Sequence, residues 1–267
     1  MKIKFTGIFL IMICLFIYSF YGNKADNLKT RYKSAIIIGA TSGIGEAIAK
    51  ELAKRNYIIG LVGRRQNLLE TIQKEIATES FIKVIDISDI HSAQQKLKDL
   101  IAEMKELDLI IISSGTGNHD LSWAKQKEII DVNVMGFAAM ASIATDYFLN
   151  KGKGHIVGIS SIAALKGFAQ APVYSASKAF ISSYLQGLRE RFKKLDKKIY
   201  VTDIQPGFVD TQMGKDSNFW KATPQEAAQQ ICDTIENKRD HAYITYRWYL
   251  IAWAIKIIPD WLFYKLF

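Results

Sequence analysis

The chain has 267 residues, a formal net charge of +9 and an apolar fraction of 49%. The apolar fraction excludes a disordered chain, and the length suits one large α/β domain with a substantial core. The two cysteines, Cys14 and Cys232, give no disulfide framework, and the four scattered histidines give no metal-ligand spacing, so no metal is expected. No nucleic-acid-binding motif accompanies the basic charge, which indicates a solvated basic surface or attraction to anionic lipid.

An uncharged apolar run occupies residues 5–21 near the amino terminus. Its 17 residues reach the lower limit for a membrane-spanning helix, and no small-residue cleavage site follows it. We therefore predict a membrane anchor over residues 1–22 and a polar tether over residues 23–33. A cleaved signal peptide and a buried or interfacial helix are the alternatives. The larger group of basic residues follows the run, which predicts a cytoplasmic main domain associated with a membrane lipid surface.

Residues 34–247 alternate between apolar strand-like runs and helical stretches, as expected for one domain. Strands are predicted at residues 35–38, 57–62, 81–85, 109–112, 155–159, 200–204 and 243–245. Helices are predicted at residues 44–55, 68–78, 91–105, 125–149, 173–195 and 224–237. Alternating strands and helices indicate a parallel sheet, and continuous apolar strands indicate burial on both faces. We therefore predict an α/β fold: a doubly wound parallel sheet of about seven strands with helices on both faces, in a single Rossmann-fold domain.

A glycine-rich loop, GATSGIG at residues 39–45, follows the first predicted strand and opens the first predicted helix. Gly39 permits the tight turn, Gly43 lets the backbone approach a pyrophosphate, and Gly45 lets the helix pack close to the sheet. This context predicts a dinucleotide-binding loop. Its predicted contacts are Gly39, Thr41, Ser42, Gly43, Ile44 and Gly45.

The end of the second predicted strand indicates which dinucleotide is bound. NAD sites usually carry an acid there for the ribose hydroxyls, whereas this chain has Gly63 followed by Arg64 and Arg65. A guanidinium pairs well with a phosphate, so the sequence predicts NADP(H), with Arg64 preferred over Arg65 as the contact. Two solvated arginines are the alternative. Asp86 ends the third strand, where it would accept a hydrogen bond from the adenine amine or cap a helix.

Tyr174 and Lys178 lie four residues apart on a predicted helix and therefore on one face. A tyrosine has a pKa of about 10, and a nearby ammonium stabilises its phenolate and lowers that pKa. The pair, in the sequence YSASK, follows a strand that ends in GISSIAA. That position favours a proton-transfer site over a solvated helix face.

Together the two motifs resemble the short-chain dehydrogenase/reductase family, of the single-domain kind, over residues 33–246. The resemblance implies a catalytic serine at Ser161, 13 residues before Tyr174, and a helix asparagine at Asn133. It implies that Lys178 holds the nicotinamide ribose and that Asn133 holds a water connecting the lysine to solvent. The implied cofactor contacts in this half are Tyr174, Lys178, Pro206, Gly207 and Thr211. One departure is visible, because SSGTG at residues 113–117 stands where the family often has Asn-Asn-Ala-Gly.

The reaction that the resemblance implies is hydride transfer between NADP(H) and a carbonyl or alcohol carbon. Tyr174 would donate a proton to the substrate oxygen, and Ser161 would hydrogen-bond that oxygen. Residues 208–222 are predicted to form a lid, whose Met213, Phe219 and Trp220 indicate a small hydrophobic, lipid-like substrate or packing on the domain. The alternatives are a non-catalytic NADP(H)-binding sensor or scaffold, and dehydration or epimerisation on the same fold.

Residues 248–267 are apolar and aromatic, and Lys256 and Pro259 interrupt them. They are too short to span a membrane, so they indicate an interfacial segment or a helix packed against the domain or a second subunit. The resemblance also implies a homodimer or homotetramer, paired through the helices predicted at residues 125–149 and 173–195.

Overall fold

The computed structural model describes residues 34–214 and 219–266. The predicted anchor at residues 1–22 and the predicted tether at residues 23–33 lie outside the described residues. Residues 215–218 of the predicted lid lie outside them as well.

Seven parallel strands form one sheet in the order β3-β2-β1-β4-β5-β6-β7. The strands are β1 (Ser34–Ile38), β2 (Ile58–Gly63), β3 (Ser80–Val84), β4 (Leu109–Ile112), β5 (Lys153–Ile159), β6 (Lys198–Pro206) and β7 (His241–Ile244). The strand order reverses between β1 and β4, so a crevice opens at the carboxyl ends of these strands. The predicted doubly wound parallel sheet is confirmed.

Helices cover both faces of the sheet. They are α1 (Gly43–Lys54), α2 (Gln66–Glu75), α3 (Ile90–Met104), α4 (Trp123–Ile130), α5 (Phe137–Lys151), α6 (Pro172–Lys194), α7 (Pro224–Glu236), α8 (Trp248–Ile257) and α9 (Asp260–Leu266). Neighbouring residues of β1 point to opposite faces: Ile37 joins one core with α1 and α7, and Ile36 joins a second core with α3, α5 and α6. The thiol of Cys232, on α7, is buried in the first core.

The long helix predicted at residues 125–149 is interrupted by a π-helical turn, Asp131–Gly136, between α4 and α5. Gly136 packs closely on Ile87, since a β-carbon at position 136 would lie 2.7 Å from the Ile87 carbonyl oxygen. The turn carries Asn133, whose side chain is fully buried. A π turn adds a residue to one helical turn and often marks a functional site. The apolar pattern of residues 125–149 does not indicate this turn.

Within the described residues, Trp123–Lys151 is long and apolar enough to cross a membrane by length and composition. This stretch comprises α4, the π turn and α5, and 56% of its most apolar window is buried inside the domain. Phe137, Met140 and Phe148 belong to the second core. The stretch therefore has the burial of a core helix.

The C-terminal segment packs on the domain through one face. Trp248, Ala252 and Ile255 of α8 are buried, and the ring of Phe263 in α9 lies 5.4 Å from that of Phe168. The opposite face is apolar and 59–70% exposed, and consists of Tyr249, Leu250, Trp253, Ile257 and Trp261. Packing against the domain, one of the predicted alternatives, therefore accounts for one face of this segment and leaves the other open.

Candidate active site

The predicted site residues converge at the carboxyl ends of β1, β4, β5 and β6, around the crevice. The segment after β4 runs between them. A β-carbon at Gly115 would lie 3.3 Å from Lys178 Nζ and 3.4 Å from Asn133 Oδ1, and one at Gly117 would lie 3.1 Å from the ring of Tyr174. Segments far apart in the sequence thus form one site, and the unusual SSGTG segment lines it.

The glycine loop connects β1 to α1. Gly39 has a φ of +95°, and a β-carbon there would lie 2.5 Å from Ser114 N, so only glycine fits. A β-carbon at Gly45 would lie 2.1 Å from the Gly39 carbonyl oxygen, so Gly45 allows the helix to approach the start of its own loop, whereas the sequence predicts an approach to the sheet. Thr211 reaches the same loop, because its Cγ2 lies 2.9 Å from where a β-carbon of Gly43 would be. Since α1 begins at Gly43, its positive end and this open backbone fit a pyrophosphate.

Two arginines border the glycine loop. Arg65 Nη2 donates to Thr41 Oγ1 at 2.7 Å and to Ser42 Oγ at 2.8 Å. Arg64 is exposed, and its Nη1 lies 3.7 Å from Asp86 Oδ2. The sequence preferred Arg64 as the phosphate contact, whereas it is Arg65 that touches the loop. These donors fit an anionic group of a dinucleotide.

Two predicted cofactor contacts have other neighbours in the structure. Asp86 accepts hydrogen bonds from the backbone N of Ser88 at 3.0 Å and from its hydroxyl at 2.7 Å. Burial acts to raise the pKa of Asp86, but these hydrogen bonds and the charge of Arg64 outweigh it and lower that pKa. Asp86 does not cap α3, which begins after Asp89, so the helix-cap alternative is wrong. Ile44 packs its side chain partly against the first core.

Tyr174 and Lys178 occupy the first two turns of α6 and face the end of β5. The hydroxyls of Tyr174 and Ser161 are hydrogen-bonded to each other, and Ser161 Oγ accepts from the backbone N of Ala163 at 3.1 Å. Lys178 Nζ donates to the Ile159 carbonyl oxygen at 2.9 Å and lies 5.6 Å from the centre of the Tyr174 ring. The serine, phenol and ammonium therefore meet in one place.

Burial controls the protonation of this pair. It raises the pKa of Tyr174, and the hydrogen bond with Ser161 offsets only part of that rise. It lowers the pKa of Lys178 to about 8, against the opposing charge of Asp203. The sequence predicts a lowered tyrosine pKa beside the lysine; the net shift is upward, because desolvation of the phenolate is the largest effect. At neutral pH the phenol thus holds its proton.

Asn133 connects the segment after β4 to α6. Its Oδ1 accepts from Thr116 N at 2.8 Å, and its Nδ2 donates to Thr116 O at 2.8 Å and to Ser177 Oγ at 3.0 Å. The π turn brings this side chain between the two elements. Its amide thus supports the loop that passes Lys178, and the implied role in holding a water stays a prediction.

The start of the segment after β6 packs against α8. Pro206 ends β6, and the indole of Trp248 covers Gly207, where a β-carbon would lie 2.0 Å from Trp248 Cε2. The ring of Phe208 lies 5.5 Å from that indole. Sequence reasoning did not single out Trp248, Thr116, Ser177 or Asp203 for the site. Thr116 and Ser177 stand inside the SSGTG and YSASK segments without a role assigned to them, and Trp248 and Asp203 stand outside any motif, so their contacts are what identify all four.

Known proteins were found that resemble this chain. A family model described as short chain dehydrogenase matches residues 33–222. An uncharacterised oxidoreductase of Myxococcus xanthus is 31% identical over 247 residues, which cover 87% of this chain and 95% of that protein. The human protein named inactive hydroxysteroid dehydrogenase-like protein 1 is also 31% identical, over 74% of this chain and 62% of its own length.

Solved structures resemble the domain as well. A 3-ketoacyl-(acyl-carrier-protein) reductase from Brucella melitensis, complexed with NADH, has a TM-score of 0.73 at 20% identity and covers 79% of this chain and 96% of its own. An alcohol dehydrogenase from the archaeon Thermococcus sibiricus, complexed with 5-hydroxy-NADP, has a TM-score of 0.70 at 24% identity and covers 80% and 97%. At these identities the likeness concerns the fold alone.

Proposed function

The chain belongs to the short-chain dehydrogenase family, and we propose that it is an NADP(H)-dependent oxidoreductase acting on a hydrophobic carbonyl or alcohol. The observation that carries the proposal is the contact between the Tyr174 phenol and the Ser161 hydroxyl, with the Lys178 ammonium one helical turn away. A nicotinamide, when bound, supplies or accepts the hydride. The chain itself supplies the proton and fixes the substrate oxygen.

In the reducing direction, Tyr174 donates its proton to the substrate carbonyl oxygen while Ser161 hydrogen-bonds that oxygen. Burial keeps the phenol protonated until the substrate oxygen becomes basic during the reaction. The phenolate that remains is negatively charged, and the nearby Lys178 ammonium stabilises it. Tyr174 therefore donates the proton, and Lys178 stabilises the negative charge that remains on the tyrosine.

The preference for NADP(H) is inferred from Arg64 and Arg65 at the end of β2, where a ribose-binding acid would favour NAD. Arg65 is in contact with Thr41 and Ser42 of the glycine loop, and Arg64 is exposed beside it. Two guanidinium groups match a phosphate better than a bare diol.

A hydrophobic substrate is inferred from the segment after β6. Its Phe208, Met213, Phe219 and Trp220 are 40–53% exposed, and Phe219 and Trp220 stack with ring centroids 5.0 Å apart. Exposed apolar groups beside a reaction centre favour an apolar ligand, because burying them against it releases water.

Association with a membrane surface is the proposed setting. The exposed apolar face of α8 and α9 is rich in Trp and Tyr, with Lys256 among its neighbours, a composition typical of segments at a lipid interface. The apolar run at residues 5–21 would act as a membrane anchor. We further propose a homodimer or homotetramer, paired through the apolar groove along α6, which Phe180, Tyr184, Leu188 and Leu195 line.

The test is to follow NADPH and NADH oxidation by the full chain with long-chain ketones and 3-oxo acyl compounds. Tyr174→Phe should abolish turnover and retain NADPH binding, whereas Tyr249→Phe, which alters an exposed ring on α8, should leave both unchanged. Retained turnover in Tyr174→Phe would refute the proposed chemistry. Tight NADPH binding by the unmodified chain, without turnover of any substrate in the panel, would favour the non-catalytic alternative.

A further inference from the structure

A buried carboxylate lies directly behind the candidate catalytic residues. Asp203, on β6, is only 3% exposed. It accepts hydrogen bonds from the Ser160 hydroxyl, from Ser182 Oγ at 2.6 Å and from Gln205 Nε2 at 2.9 Å. All three donors are neutral, so they solvate the carboxylate without cancelling its charge. A buried charge of this kind is costly unless it has such donors, which suggests a function for it.

The hydrogen-bond partners of Asp203 lie on the two elements that carry the candidate catalytic groups. Ser160 immediately precedes Ser161 at the end of β5, and its hydroxyl turns toward Asp203 while that of Ser161 turns toward Tyr174. Ser182 is one helical turn after Lys178 on α6. The carboxylate therefore connects the serine strand to the tyrosine–lysine helix.

The same arrangement places a negative charge near a buried positive one. Lys178 is 4% exposed, and its ammonium donates to the carbonyl oxygen of Ile159, the residue before Ser160. A carbonyl dipole compensates an ammonium only in part, so a lysine this deeply buried tends to lose its proton. Ile159 is paired with Ile204 in the β5–β6 register, one residue from Asp203.

We propose that Asp203 is a positioning residue for this site: its carboxylate fixes Ser160 and Ser182 on either side of Lys178, and its charge keeps the Lys178 ammonium protonated. The consequence for catalysis rests on the proposed function, whereas the effect on the lysine does not. Burial lowers the pKa of Lys178 to about 8, and the charge of Asp203 is what opposes that fall.

Other titratable groups lie near Lys178 and Asp203, and their effects on the Lys178 titration have to be distinguished from that of Asp203. Tyr174 lies on the same helix as Lys178, and His241 lies opposite Asp203 in the β6–β7 register. Burial lowers the pKa of His241; Asp203 opposes this, and Lys256 on α8 and Arg189 on α6 add to it. His241→Gln therefore serves as a control for a titration that arises from the histidine.

The experiment is an NMR titration of the full chain labelled with [¹³Cε]lysine, in detergent, without cofactor or substrate. Lys178→Arg assigns the signal. Asp203→Asn removes the charge and keeps the side-chain shape; we expect the Lys178 midpoint to fall by about 1 pH unit or more, the usual effect of one charge at close range. Ser182→Ala removes one hydrogen bond and keeps the charge, so its midpoint should move by less than about 0.3 unit.

An unchanged Lys178 midpoint in Asp203→Asn would refute the claim that the charge of Asp203 keeps Lys178 protonated. An equal shift in Ser182→Ala would mean that lost packing, and not lost charge, moves the midpoint. Asp203→Glu tests positioning if Asp203→Asn fails to fold: the charge stays, but the longer side chain displaces Ser160. It should hold the midpoint and lower kcat for ketone reduction at least about fivefold, with KM for NADPH unchanged. Unchanged kcat would refute positioning. Because the titration needs no turnover, its result is independent of the proposed reductase activity.

Discussion

Replacing Trp248 by Ala should destabilise the domain strongly, although the residue lies in a C-terminal segment whose composition resembles a lipid-facing one. The indole is 2% exposed and packs with Ile162, Tyr243 and Ala252. Truncating a buried Trp to Ala costs about 3–5 kcal/mol. Its Nε1 has no hydrogen-bond partner among the described residues, and removing an unpaired buried donor offsets part of that loss. We therefore expect about 3–4 kcal/mol, the lower part of that range.

For a domain of this size, 1 kcal/mol corresponds to about 2–4 °C in Tm, so the expected decrease is about 6–16 °C. The assay is thermal unfolding of the full chain in detergent, followed by near-ultraviolet circular dichroism. Trp253→Ala is the matched control, because it makes the same truncation on the same helix at a residue that is 60% exposed. It should change Tm by no more than about 2 °C. Equal decreases in the two variants would refute the conclusion that only one face of α8 supports the domain.

Three further predictions concern the glycine loop and the sheet. Arg65→Ala should weaken NADPH binding about 10- to 100-fold, because a charged hydrogen bond to phosphate is worth about 1.5–3 kcal/mol. NADH binding should stay within about twofold. Fluorescence titration measures both affinities, and equal losses for the two cofactors would contradict the prediction. Gly45→Ala should lower Tm and NADPH affinity, since its β-carbon would overlap the Gly39 carbonyl oxygen, whereas Gly167→Ala, with no atom within 4 Å of the new methyl group, should raise Tm slightly. Burial lowers the pKa of His155 to about 3, so His155 stays neutral in the fold and its contribution should make unfolding easier by about 1.4 kcal/mol per pH unit as pH falls from about 6.5 towards 3. In urea titrations, the pH slope of His155→Gln should be smaller by that amount, and a slope equal to that of the unmodified chain would contradict the prediction.

The sheet and the order of its elements could be predicted from the sequence because their signals are local. Each strand is a short apolar run, and the glycine loop stands between a strand and a helix, where its context confirms it. The helix that carries Tyr174 and Lys178 follows from the helical pattern of residues 173–195, and the i, i+4 spacing then places the two side chains on one face. For such features, neighbours in the chain are neighbours in the structure.

The remaining features depend on tertiary contacts that no local pattern records. The π turn at Asn133 arises where Gly136 packs on Ile87 and the asparagine amide binds Thr116. In the sequence, Asp203 is one polar residue within a predicted strand. Its proposed role follows from the hydrogen bonds that Ser160 and Ser182 donate to it in the folded domain. The direction of the Tyr174 pKa shift was also missed, because the spacing reports the neighbouring charge and not the depth of burial.

Because Cys232 is buried, labelling of the native protein with a thiol reagent reports on Cys14, near the amino terminus. Burial raises the pKa of this thiol, so it reacts poorly with alkylating reagents while the domain stays folded. The other cysteine, Cys14, stands in the apolar run at residues 5–21. A water-soluble maleimide added to vesicles that carry the native protein should therefore label Cys14 and not Cys232. Labelling that begins only when detergent is added means that lipid shields this residue, and immediate labelling means that water reaches it.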